Sequence, residues 1–110
     1  MNNGLILTTI DSIPGYEIVE ILGIARGSTV RTRNVAFDIF AGLKNIVGGE
    51  ISEYTKLLAD AREQAIKRMT EDAKRLGADA VVNVRFTTST VMQGAAEILA
   101  YGTAVRILKF

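Results

Sequence analysis

The sequence predicts an α+β fold, a mainly antiparallel sheet with helices packed on one face, in the order β-β-α-α-β-β. Three observations carry this. Residues 51–76 keep apolar side chains at helical spacing over about seven turns. Residues 16–31, 80–91 and 96–110 alternate with the period of two that marks strands. The helical patterns lie between the two pairs of strands, as expected for helices gathered on one face.

Residues 5–10 read as a short strand, stopped by Asp11-Ser12 and the Pro14-Gly15 turn. The next strand, 16–31, places Tyr16, Ile18, Leu22, Ile24 and Val30 on one face and Val19, Ile21, Gly23, Ala25 and Gly27 on the other. Its two interior glycines mark a bulge or a close backbone approach. Asn34 is an N-cap for a helix over 35–47, which Gly48-Gly49 ends. The long helix, 51–76, carries Ile51, Tyr54, Leu58, Ala61, Ala65, Met69 and Leu76 on its apolar stripe and ends at Gly77. Glu53, Lys56, Asp60, Glu63, Lys67, Glu71 and Lys74 make the opposite, solvated face. Strand 80–91 sets Ala80, Val82, Val84 and Phe86 against Val81, Asn83, Arg85 and Thr87. The last strand, 96–110, sets Leu99, Tyr101, Thr103, Val105 and Ile107 against Ile98, Ala100, Gly102, Ala104 and Leu108.

At 110 residues the chain is read as one domain, 1–110, with a modest core. Thirteen basic residues against 12 acidic ones give a net charge of +1, which supplies no footprint for nucleic acid or an anionic membrane. Uncharged stretches are broken before they reach a membrane span, and the start lacks the pattern of a signal peptide, so the expected home is the cytoplasm. There is no His and no Cys. Thiolate and imidazole metal sites are thereby excluded, and a carboxylate site would favour hard ions such as Mg²⁺ or Ca²⁺. Ser and Thr nucleophiles lack a His base.

The second and last strands are apolar on both faces, whereas a sheet covered on one side alternates apolar with polar. A second copy of the chain is the simplest cover. Lys at Ala100 or Ala104 is then expected to weaken assembly.

Arg62 lies about 40° from Leu58 on the helical wheel, inside the apolar stripe, with Asp72 about 40° away on its other side. A charge there calls for a partner. Glu97, which shares the parity of Leu99, Tyr101 and Val105, is the first choice, with Glu50 and Glu53 as alternatives. An anion held by the guanidinium is the other reading. Gly48-Gly49-Glu50 is a helix stop or a weak anion nest, and Arg31-Thr32-Arg33-Asn34 is a solvated loop or a phosphate contact. The phosphate-binding glycine motifs of nucleotide sites are absent.

The runs Val47-Gly48-Gly49-Glu50-Ile51-Ser52-Glu53-Tyr54-Thr55, Ala61-Arg62 with Ala65, Leu76-Gly77-Ala78-Asp79-Ala80-Val81-Val82 and Tyr101-Gly102-Thr103-Ala104-Val105 resemble the bacterial and archaeal YbjQ family over nearly the whole chain. The resemblance implies a small α+β subunit assembling into a homopentameric ring, and it brings a heavy-metal-binding label with no established activity. Soft metals want ligands that this chain lacks.

Two functions follow as expectations. The first is a cytoplasmic homo-oligomeric binding or scaffold protein, with a small anionic ligand or a hard metal ion between subunits, near Glu50, Tyr54, Arg62 and Glu97. The second is an enzyme using Glu and Arg in such a cleft, which would need buried carboxylates of raised pKa.

Overall fold

The structure is a computed structural model and describes residues 4–32, 49–92 and 95–110, with the side chains of 32, 49–55 and 91 outside the described set. The helix expected over 35–47 falls outside it. The elements are β1 (Ile6–Leu7), β2 (Tyr16–Thr32), α1 (Gly49–Arg75), β3 (Ala80–Met92) and β4 (Ala95–Lys109). They form an α+β fold with one helix on a four-stranded sheet of order β1-β3-β4-β2. The pairs β2–β4 and β3–β4 are antiparallel. The pair β1–β3 is parallel, with Ile6 opposite Ala80 and Leu7 opposite Val81, so the sheet is mixed.

The alternation set the strand lengths, but four register shifts, two between β2 and β4 and two between β3 and β4, redistribute the faces. In β2 the register with β4 shifts between Ile18 and Glu20 and again between Ile21 and Gly23, where Gly23 adopts φ +129°. Leu22 therefore packs with the helix-side core, while Ile18 packs in a second cluster. In β3 the shift lies between Val82 and Arg85, with Asn83 at φ 56°. Asn83 N–H donates to Ile10 O and Val84 N–H to Thr8 O, both at 3.0 Å, so the bulge anchors the segment after β1. It also moves Val84 onto the helix side and Arg85 onto the other face.

The main core lies between helix and sheet. Ala61, Ala65, Met69 and Ala73 of α1 meet Ala25, Val81, Val84, Ile98, Ala100 and Ala104. Small residues on both sides let the backbones approach closely. A Cβ on Gly27 would collide with the Met69 nitrogen and lie 2.6 Å from the Ala65 carbonyl oxygen, so that position admits only glycine. Ala100 and Ala104 are fully buried here, inside the subunit. Lys at either would unfold the chain rather than merely loosen an interface, which corrects the expectation drawn from alternation alone.

On the other face, Ile13 lies over Ala80, Val82 and Val105, with Ile6, Tyr16, Ile18 and Ile107 around them. The segment between β1 and β2 thus supplies local cover for one end of the sheet. Beyond it the face is open, with Ile24 67%, Val30 53% and Tyr101 38% exposed.

Candidate functional site

The helix touches the sheet along the ridge Ala61–Ala65–Met69–Ala73, in steps of four. Each step of four advances about 40° around the helix, so the line of contact slants across it. The residues just before the ridge positions form a parallel polar row that reaches β2, an edge strand with unpaired backbone groups. Gln64 Oε1 accepts from Arg31 Nη2 at 2.8 Å. Arg68 Nη1 donates to Ser28 O at 2.6 Å. Asp72 Oδ2 accepts from Arg26 N–H at 3.0 Å. Arg75 holds the other Asp72 oxygen at 2.8 and 3.1 Å. Arg75 first, then the Arg26 N–H, keep the Asp72 carboxyl below the ordinary carboxylate range against the opposing effect of burial.

Arg62 lies about 100° from Ala61, off the slanted ridge, and is exposed. It makes no ion pair among the described residues; those present are Arg75–Asp72 and Arg106–Glu20. Glu97 is half-buried on the open face of β4, opposite Val30 on β2 and Ser89 on β3. The sheet separates it from α1, so the expected Arg62–Glu97 pair does not form. Glu50 and Tyr54 lie in the first turns of α1, with side chains outside the described set. The four residues are therefore not brought together by what the structure describes. Arg31 and Thr32, expected in a basic loop, instead end strand β2, where Gln64 holds Arg31; Arg33 and Asn34 fall outside the described residues.

The open face carries a different constellation. Tyr101, on the central strand β4, stands directly opposite Arg26 on β2 and Arg85 on β3. Arg85 Nη1 donates to Thr9 O at 2.8 Å and to Val84 O at 2.9 Å, both from the bulged edge. Sequence alternation alone placed Arg85 with Val81; the positive φ of Asn83 gives no signal that alternation detects. A small cleft of about 280 Å³ lies elsewhere, near the end of α1, lined by Gly4, Leu5, Lys74, Ala78 and Asp79. Its carboxylate is already engaged, since Asp79 Oδ2 accepts from Ile107 N–H at 3.0 Å.

The YbjQ family model, described as "Putative heavy-metal-binding", matches residues 5–108. The chain is 63% identical over 107 residues to the UPF0145 protein of Archaeoglobus fulgidus, covering 97% of this chain and 99% of that one. It is 53% identical over 103 residues to a UPF0145 protein of Thermus thermophilus, covering 94% and 90%. A crystal structure of a DUF74-family protein of unknown function from Pediococcus pentosaceus superposes with a TM-score of 0.64 at 16% identity, covering 96% and 99%. That likeness supports the fold. Thiolate and imidazole, the donors that soft metals prefer, are absent from the sequence, and no three carboxylates gather among the described residues.

Proposed function

Because the chain belongs to the YbjQ family, we propose that it works as a cytoplasmic homo-oligomeric binding or scaffold protein, most simply a pentamer, holding a small ligand where its copies meet. One observation supports this above the others. Among the described residues the sheet face away from α1 is covered only at one end, and Ile24, Val30 and Tyr101 stay exposed on the remainder. Large apolar side chains left exposed on a sheet face support an association site there. The helix-side row, Gln64, Arg68 and Asp72, already occupies groups on the β2 edge, which leaves the face itself as the surface for a second copy. No helix among the described residues is long and apolar enough to cross a membrane.

Native mass spectrometry of the purified protein tests the proposal. Assemblies of the 11.9 kDa chain, and any retained small molecule, are expected. A monomer alone would count against it.

A further inference from the structure

We propose that the outer edge of β3, over residues 86–90, pairs antiparallel with the same edge of a second copy, extending the sheet across a two-fold axis. This contact is separate from the open sheet face and does not rest on association there.

Observed bonds fix the backbone directions on this edge. Val84 N–H donates to Thr8 O at 3.0 Å, and Val84 O accepts from Arg85 Nη1 at 2.9 Å, so both polar groups of Val84 point away from β4. The far edge of the sheet gives the same parity. Arg26 N–H and Ser28 O turn out to α1, so Gly27 turns in to Ala100, and Tyr101 turns in to Arg85. The β3–β4 register is unbroken from Arg85 to Thr90, so Phe86, Thr88 and Thr90 direct their N–H and C=O groups outward, as Val84 does. The segment after β1 reaches only to Val84, where Arg85 also holds Thr9 O at 2.8 Å. Residues 85–90 are all exposed, Phe86 at 44%. Among the described residues no strand pairs with β3 on this side of them.

The two long edges of the sheet differ. The β2 edge is blunted by α1 at Arg26 and Ser28. Phe86-Thr87-Thr88-Ser89-Thr90 has no charge, proline or bulge, the devices that keep an edge from pairing. Its threonines and phenylalanine suit an added strand. A second copy is the occupant because the edge is self-complementary. With Thr88 opposite Thr88, Phe86 falls opposite Thr90, and every outward N–H of these residues meets an outward C=O. Threonine hydroxyls pair across the axis. The two Arg85 side chains stand at opposite ends of the new ladder, roughly 20 Å apart, so like charges do not meet.

Sedimentation equilibrium of the full chain carrying Ile24→Lys, which removes the sheet-face contact, isolates the edge. A two-chain particle is expected. Thr88→Lys in that background sets like charges opposite one another and should raise the dissociation constant about fivefold or more. Thr88→Glu should do the same, and an equal mixture of the two should restore the pair. Thr88→Pro should also break it while leaving the fold intact, since that N–H takes no part in the β3–β4 ladder. In amide exchange followed by NMR, Phe86, Thr88 and Thr90 should gain protection as concentration rises. A monomeric Ile24→Lys chain beside a larger wild type would overturn edge pairing and leave the sheet-face reading standing. A two-chain particle indifferent to Thr88→Lys would overturn it as well. An Ile24→Lys chain that keeps the wild-type mass but dissociates with Thr88→Lys supports the edge and contradicts the face.

Discussion

Asp72 on the helix accepts a hydrogen bond from the backbone N–H of Arg26 at 3.0 Å, taking the place that an incoming strand would occupy on the β2 edge. One turn earlier Arg68 does the same for the Ser28 carbonyl. An edge strand invites unplanned pairing, and a helix that caps its free groups removes the invitation. The helix thus blunts this edge, while the adjoining face stays open beyond its covered end among the described residues.

Asp72→Asn should cost about 1 kcal/mol at neutral pH, because the charged part of both hydrogen bonds is lost. The folded carboxyl sits below its ordinary range, so this stability is present above the unfolded value of 3.8 and disappears as pH falls through the folded one. Urea unfolding at neutral pH and in acid should show the wild-type advantage over Asp72→Asn shrinking in acid. An advantage that persists in acid would mean the charge is not its source.

Gly27 and Gly23 should respond differently to alanine. At Gly27 the new methyl strikes the α1 backbone, which cannot yield as a side-chain end can, so a loss of about 3 kcal/mol or more is expected. At Gly23 nothing lies within 4 Å and only the φ of +129° is violated, a strain of about 1–2 kcal/mol. Denaturation midpoints of the two variants give the order directly.

Thr29 is 1% exposed, and its Oγ1 has no hydrogen-bond partner among the described residues. Thr29→Val keeps the shape and removes the stranded hydroxyl, so stability should rise by about 1 kcal/mol in thermal or urea unfolding. A loss of stability would reveal a partner for that hydroxyl.

Arg62→Met should change stability by less than about 0.5 kcal/mol, as expected for an exposed side chain with no ion-pair partner among the described residues. A double-mutant cycle with Glu97→Gln should give coupling near zero, since the sheet lies between them. Strong coupling would show that the two meet, for instance across copies of the chain.

These contrasts show what alternation and helical periodicity can carry. The long helix was legible because its stripe repeats over many turns, and it runs Gly49–Arg75 against an expected 51–76. Strands β2, β3 and β4 were legible within a residue or two, and the two glycines of β2 marked a bulge and a close approach as expected. The faces were not, because each bulge flips every side chain beyond it, and only Gly23 announces one in the sequence. Arg62 was misplaced because a wheel drawn down a straight stripe ignores the slant of the Ala61–Ala65–Met69–Ala73 ridge. The Arg26–Tyr101–Arg85 row joins three strands distant in sequence, and no local pattern brings them into one view.

Assembly through the open sheet face is tested most directly by sedimentation equilibrium of wild type beside Ile24→Lys at micromolar concentration. Ile24 is 67% exposed in the subunit, so a lysine there leaves the fold intact and places a charge in the proposed contact. The expected result is a wild-type mass several times 11.9 kDa and a folded, smaller species for the variant. A wild type that sediments as the 11.9 kDa monomer, or a variant that assembles as the wild type does, would contradict it.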